Sequence, residues 1–304
     1  MSLLIVGSIA IDDVKTPLES HRNLLGGSAS YASLAASFFT PVRLVGVVGE
    51  DFPQAYHELF RKRGVNLDGL KIEKGKTFRW SGEYLWDLNQ RKTLSVKLNV
   101  FEHFKPQLPK PYKTTPYVLL GNIAPSLQSH VLDQMAKPRF VMADTMDLYI
   151  QTAKTELLAL LRRVNAICLN DSEARELTGM TSLIKAGHKL LSYGPTYAII
   201  KKGEHGCLLF SEGCFFSAPA YPLEDIHDPT GAGDAFAGSL MGYLARANEV
   251  SFKTMRAAVV YGSVLASFTV EAFSLGRLQT LSQSDIEKRY AAFKTISHFD
   301  DVNS

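Results

Sequence analysis

The string Asp228-Pro229-Thr230-Gly231-Ala232-Gly233-Asp234-Ala235-Phe236-Ala237-Gly238 holds what chemistry on a phosphate requires. Two glycines flank an alanine where a loop gives way to a helix, whose buried face would be Phe236, Leu240, Tyr243 and Leu244. The first amides of a helix lack intrahelical partners and form an anion site. Glycine lets phosphate oxygens approach closely. Asp234 falls in the first turn, beside that site. A carboxylate there repels a phosphate that is merely bound. It makes sense as a base that takes the proton of an attacking hydroxyl while the amides of Gly231, Ala232 and Gly233 hold the group in transfer. The structural alternative is that an acid in a first turn complements the helix macrodipole and that glycines are common in loops. Gly-x-Gly-Asp alone does not decide between the two.

The complete string resembles the signature of the ribokinase-like (PfkB-type) family of carbohydrate and nucleoside kinases. The resemblance implies an anion hole at Gly231, Ala232 and Gly233, a catalytic base at Asp234, and Thr230 on the nucleotide side. Pro229 stands where many members have threonine. Three further motifs occur in the family's order. Gly26-Gly27 matches an early di-glycine that joins the substrate site to a lid hinge. Asn170-Asp171-Ser172-Glu173 matches an Asn-x-x-Glu after a strand, which organises magnesium and phosphate largely through water, so no direct metal ligand is implied. Lys201-Lys202-Gly203-Glu204-His205-Gly206 resembles a strand-end turn along the nucleotide, which puts Lys201, Gly203 and Gly206 on the cofactor side. Locally, 170–173 also reads as a helix start with Ser172 as N-cap, and 201–206 as a simple β-turn. The resemblance implies ATP as donor and Mg2+ as its ion, and leaves dependence on a monovalent cation open.

For the acceptor, the resemblance points to Asp12, just beyond the first strand, as a carboxylate that accepts hydrogen bonds from substrate hydroxyls. Losing such a bond would leave a buried charge unpaired. A turn at Asp12-Asp13 is the alternative. Two departures make the pocket less polar than in a ribose kinase: Ala10 and Tyr31 stand where many members have asparagine. Tyr31 offers an aromatic wall to a nucleobase or a sugar face, or else packs in the core. Residues 68–104 alternate in polarity, as at Thr77-Phe78-Arg79-Trp80, and read as half-exposed antiparallel strands. With residues 9–25 they would form a small β-sheet lid, carrying Phe78, Arg79, Trp80 and Tyr84, that excludes water from the reaction. The exposed face of such a sheet could also join two copies as a homodimer.

These residues must be positioned by a larger frame. Leu3–Val6, Val42–Val48, Tyr117–Leu120, Arg139–Ala143, Ala166–Leu169 and Tyr197–Lys201 read as buried strands. Helical stretches are expected at 28–39, 52–63, 127–136, 151–163, 172–192, 232–247, 251–270 and 284–295, and a hairpin at Cys207–Phe210 and Cys214–Ser217. Strands alternating with helices imply a mostly parallel sheet in a three-layer α/β/α fold. The chain would be a single domain over residues 1–304 with the lid inserted, and Asp300 to Ser304 a frayed tail.

Composition excludes other classes. At 304 residues with 46% hydrophobic content and net charge +3, the chain can bury a sizeable core and shows no dense basic stripe for nucleic acid. No long apolar run suggests a membrane span, and the N-terminus lacks the basic region of a signal peptide. Three irregularly spaced cysteines, Cys168, Cys207 and Cys214, suit a reducing cytoplasm. Gly75-Lys76-Thr77 lacks the spacing of a phosphate-binding P-loop, and the lone Gly7 after the first strand argues against a dinucleotide dehydrogenase. The expected activity is transfer of a phosphoryl group to a small carbohydrate. A nucleoside kinase and a non-catalytic sugar- or nucleotide-binding sensor are the alternatives.

Overall fold

Continuous apolar runs become strands covered on both faces. The computed structural model describes residues 1–298, so the expected tail at Asp300 to Ser304 lies outside the described residues. In chain order the strands are β1 (Leu3–Val6), β2 (Ala10–Lys15), β3 (Ser20–Gly26), β4 (Val42–Gly49), β5 (Val65–Glu73), β6 (Phe78–Tyr84), β7 (Arg91–Lys97), β8 (Tyr117–Leu120), β9 (Phe140–Asp144), β10 (Ala166–Asn170), β11 (Tyr197–Lys201), β12 (Cys207–Ser211) and β13 (Cys214–Ala218). Nine of the described strands form one sheet in the order β13-β12-β11-β10-β9-β8-β1-β4-β5. The strands from β11 through β5 in that order are parallel, and β12 and β13 continue the sheet as an antiparallel hairpin. In β1, Leu3 and Ile5 enter one core and Leu4 and Val6 the other, which is the signature of a sheet buried between two helical layers.

A second sheet has the order β3-β2-β6-β7. It corrects two expectations. Residues 65–73 belong to β5, which pairs in parallel with β4 at the edge of the large sheet, so the small sheet takes up its second strand pair only at Phe78. An edge strand covered on one face alternates in polarity just as a lone hairpin does, hence the ambiguity. The β2–β6 pairing is parallel, and only the β2–β3 and β6–β7 pairs are antiparallel.

Helix boundaries shift for local reasons. The single helix expected over 172–192 is two, Asp171–Thr178 and Leu183–Leu191, because Gly179 takes a left-handed conformation as C-cap. The stretch at 151–163 divides at Ala153 into Asp147–Thr152 and Lys154–Leu161. The helix expected at 127–136 starts earlier, at Pro125, a residue suited to a first turn. The short helix Gly276–Thr280 was not expected. No described helix is long and apolar enough to cross a membrane, and the three cysteines carry free thiols.

Three neighbouring strands, β9, β10 and β11, end on Asp144, Asn170 and Lys201. From β1 the sheet grows through β4 and β5 on one side and through β8 to β11 on the other. That reversal opens a crevice at the carboxyl edge, the usual ligand position in open α/β sheets. The helix Ala232–Ala247 reaches this edge by packing on Ser28–Ala36, with Gly238 and Gly242 against Ala32 and Ala36. A Cβ on Gly238 would lie 2.2 Å from the Ala32 carbonyl oxygen. Gly238→Val should therefore lower stability by about 1–3 kcal/mol through overpacking, read as a shifted denaturation midpoint. An unchanged midpoint would show that the helix is not seated by this contact.

Candidate active site

Two cavities meet at the start of helix Ala232–Ala247. The smaller, of about 110 Å³, is lined by Asp12, Gly27, Ser28, Tyr31, Thr230, Gly231 and Asp234 from the body and by Phe78, Trp80 and Arg91 from the small sheet. Asp12 leaves β2 buried at 4% exposure. Its carboxylate occupies the space that a Gly26 side chain would need, with Oδ2 only 1.8 Å from the Cβ position, so the first glycine of the pair is a seat for Asp12. Asp12 Oδ1 is buried without a hydrogen-bond partner. Burial, together with the charges of Asp228, Asp13 and Asp234, pushes the Asp12 carboxyl up to about 8 against the opposing pull of Arg91. A buried carboxyl held this way is an orphan group that substrate hydroxyls would satisfy.

Tyr31 is a core residue at 2% exposure that also borders this cavity. Its ring supports the loop before helix Ala232–Ala247: a Cβ on Gly231 would lie 2.3 Å from Tyr31 Cγ. Gly231 is the N-cap with φ of 76°, a left-handed conformation that glycine adopts without strain. Buried Asp228 braces the same loop, accepting the Thr230 amide at 2.9 Å on Oδ1 and the Ser274 amide at 3.1 Å on Oδ2. Thr230, expected on the nucleotide side, lines the smaller cavity instead, because its hydroxyl donates to Tyr84 of β6 at 3.1 Å.

Asp234 sits in the first turn and lines the smaller cavity. Burial and the Asp144 carboxylate push its carboxyl up to about 7, while Lys201 and Arg91 pull the other way. That value suits a base working near neutral pH.

The larger cavity, of about 500 Å³, is lined by Lys201, Gly203, Gly206, Ala232 and Gly233, which places these expected residues together. Lys201 reaches it from the end of β11, and its Nζ lies 3.6 Å from Asp144 Oδ2. Desolvation would lower the Lys201 ammonium, but the surrounding groups, led by Asp144 and including Glu173 and Asp234, together hold it above its ordinary range. Asn170 and Glu173 line neither cavity. Asn170, not Ser172, is the N-cap: its Oδ1 accepts the Glu173 amide at 2.8 Å, and Glu173 Oε2 accepts the Asn170 amide at 2.7 Å. Burial pushes Glu173 up to about 7, against the pull of the Lys201 charge. Those bonds engage one oxygen of each side chain, Asn170 Oδ1 and Glu173 Oε2, with backbone amides. No cluster of three or more metal-binding side chains occurs among the described residues.

The sequence reading missed several members. Asp144 and Arg91 meet their partners only through the sheet pairing, which no local pattern reveals. Asp228 lies in the motif itself, but its role as a brace depends on Ser274, far along the chain. Ser263, Ala266, Ser267 and Val270 line the larger cavity from helix Phe252–Thr269 and its C-cap. Their i, i+3, i+4, i+7 spacing marks one helix face, and their small size was the available signal. The tip of the small sheet, Asp87-Leu88-Asn89, lines the same cavity, and Asn89 Nδ2 donates to Glu204 Oε1 at 3.3 Å.

Comparison with known proteins places the chain among relatives by sequence and by fold. Residues 6–280 match the family described as pfkB family carbohydrate kinase. A cytidine kinase of Thermococcus kodakarensis is 29% identical over 251 residues, covering 80% of this chain and 88% of that protein. The crystal structure of a nucleoside kinase from Methanocaldococcus jannaschii, an archaeal member of the ribokinase family, superposes with a TM-score of 0.77 at 18% identity, covering 96% of this chain and 98% of the other. A fructokinase of Vibrio cholerae, bound to fructose, ADP and calcium, superposes with a TM-score of 0.79 at 16% identity, covering 95% and 98%. The two structures establish likeness of fold.

The raised Asp12 carboxyl has a consequence for stability. Its folded value of about 8 exceeds the ordinary 3.8, so the folded chain holds this proton more tightly than the unfolded chain. The resulting stability is complete below the ordinary value and is lost as pH rises through the folded one. Asp12→Asn should therefore melt higher than wild type at pH 8, with the difference shrinking toward pH 4, in thermal scans without ligand. A difference independent of pH would mean that Asp12 is not a buried, strained acid.

Proposed function

The chain belongs to the pfkB family of carbohydrate kinases, and from that membership we propose that it transfers the γ-phosphoryl group of ATP to a hydroxyl of a small carbohydrate held at Asp12. As a member it is a phosphotransferase acting on a sugar or a nucleoside. The observation that carries the finer reading is the wall between the cavities. Gly231 and Asp234 face the smaller one, and Ala232 and Gly233 face the larger. A nucleotide along Lys201, Gly203 and Gly206 would bring its terminal phosphate to the same helix turn that a sugar hydroxyl reaches from the other side.

The mechanism follows from that placement. Asp12 orients the acceptor through its hydroxyls. Asp234 takes the proton of the attacking hydroxyl. The amides of the first helical turn offset the negative charge of the group in transfer. Magnesium, when bound with the nucleotide, neutralises phosphate charge, and Asn170 and Glu173 would hold it through water. The small sheet covers the acceptor with Phe78, Trp80 and Arg91 and excludes water that would compete as acceptor.

A nucleoside acceptor is the second reading. Phe78 and Trp80 place two aromatic rings on the acceptor cavity, and the Arg91 guanidinium lies 5.3 Å from the Trp80 ring centroid. Such a surface suits a base beyond a ribosyl group. The cytidine kinase relative points the same way.

An ADP-release assay with magnesium-ATP against sugars, sugar acids and nucleosides separates the readings. In that assay Asp234→Asn should lower kcat by about 10²–10⁴-fold while leaving ATP affinity nearly unchanged. Wild-type turnover in the variant would remove Asp234 from the role of base. Because Asp234 must lose its proton to act and titrates at about 7, kcat/KM should fall as pH drops below that value. A flat profile from pH 5.5 to 8 would contradict the assignment.

A further inference from the structure

Lys201 occupies a place where a cation is hard to account for by packing. Its side chain is only 17% exposed, so it has given up most of its hydration. Its ammonium abuts the first turn of helix Ala232–Ala247, where a Cβ on Gly233 would lie 2.9 Å from Nζ. That end of a helix carries the positive half of the macrodipole, which repels a neighbouring cation. An ion pair built only for stability would sit elsewhere.

The partner is also arranged with unusual care. Asp144, at 7% exposure, ends β9. Its Oδ1 accepts the Thr145 amide at 2.8 Å. Its carbonyl accepts from Gln128 Nε2 at 2.9 Å, and the same buried amide group binds the carbonyl of Gly121, at the end of β8, also at 2.9 Å. One side chain thus ties two strand ends together and fixes Asp144 in place. Yet Asp144 Oδ2 stands 3.6 Å from the ammonium, longer than the roughly 2.7–2.9 Å of a tight charge-assisted bond. The lysine is held in position without being fully engaged. It lines the larger cavity beside Ala232 and Gly233, so its charge and the start of the helix border the same space.

We propose that Lys201 is the cationic clamp on the phosphoryl group in transfer, with Asp144 as the residue that positions it. This rests on the kinase reading. In the step, the acceptor oxygen bonds to the γ-phosphorus and the bond from that phosphorus to the β–γ bridging oxygen breaks. The electron pair stays on the departing ADP, and the hydroxyl proton passes to Asp234. Negative charge stays on the transferring group and builds on the bridging oxygen. The ammonium meets it with a full charge where the amides offer only partial ones. Asp144 is the counter-ion that makes a buried lysine tolerable before the nucleotide arrives.

Removing Lys201 alone would leave Asp144 buried and unpaired, which is strongly destabilising. The decisive variant is therefore the double change Lys201→Met with Asp144→Asn. Binding of AMP and of a non-hydrolysable ATP analogue is measured for each protein, with kcat on whichever acceptor wild type uses. The double variant should bind AMP as wild type does but lose about tenfold or more of the preference for the ATP analogue, the scale of one charged hydrogen bond. Its kcat should fall about 10²–10³-fold, as for loss of a preorganised donor. Lys201→Arg should recover part of that loss. Asp144→Asn alone should lower kcat more than it raises KM for ATP, because the cation stays but is no longer oriented. A double variant with the wild-type preference for the ATP analogue and unchanged kcat would overturn the clamp and leave the kinase reading standing. A wild-type protein that bound no ATP would overturn both.

Discussion

Everything at this site depends on the start of the helix Ala232–Ala247 being brought to the junction of two cavities, where the Ala232 amide, expected as an anion-hole donor, instead donates to the Pro229 carbonyl at 3.3 Å. Helical geometry provides first-turn donors, and no side chain is needed to create them. What the rest of the chain must do is aim them. Gly231 supplies the left-handed turn, Tyr31 supports it from beneath, and Asp228 pins the preceding loop through two backbone amides. The contact of Gly238 and Gly242 with Ala32 and Ala36 sets the helix against the one that follows Gly27. The loop proposed to hold phosphate and the segment that carries Asp12 and Gly26-Gly27 are thereby parts of one packed unit.

The same arrangement works against stability. Asp12, Asp144, Glu173 and Asp234 are carboxyls whose proton affinity is raised, with burial the leading cause in each. A fold selected only for stability would not gather them around one helix end. Each becomes intelligible once a ligand is placed: a hydroxyl for Asp12, a proton for Asp234, a lysine for Asp144. Glu173 is partly relieved by its exchange of hydrogen bonds with Asn170. The strain is local, since the strands that end at these residues are apolar along their remaining length and fully covered.

What could be read from the sequence was what is local. Residues 228–238 are legible because loop, glycines, acid and amphipathic helix follow one another directly in the chain. The start of helix Asp171–Thr178 was visible, but the cap is Asn170 because the exchange with Glu173 needs a spacing of three, whereas Ser172 has Arg175 at that distance. The strands were legible from their apolar runs, but the sheet membership of residues 65–73 was not, since an edge strand and a hairpin strand look alike in sequence. Pairings across strands, such as Lys201 with Asp144, depend on strand order, and strand order is a property of the whole sheet.

The small sheet is where the two halves of the site come under common control. Its strands β6 and β7 bring Phe78, Trp80 and Arg91 to the smaller cavity, proposed for the acceptor, while the turn between them carries Asp87, Leu88 and Asn89 to the larger one, proposed for the nucleotide. Tyr84, the last residue of β6, meets Thr230 of the loop before helix Ala232–Ala247, and Asn89 meets Glu204 of the turn after β11. One hairpin therefore borders both cavities and meets the loop before helix Ala232–Ala247 and the turn after β11. A displacement that opened one cavity would disturb the cover of the other, so acceptor and nucleotide would each favour the same placement of the hairpin. Any differential contact that either ligand makes with the covered arrangement is passed to the other through this shared element. Water is then kept from the junction most effectively when both cavities are filled, which is the condition under which a phosphoryl group should move.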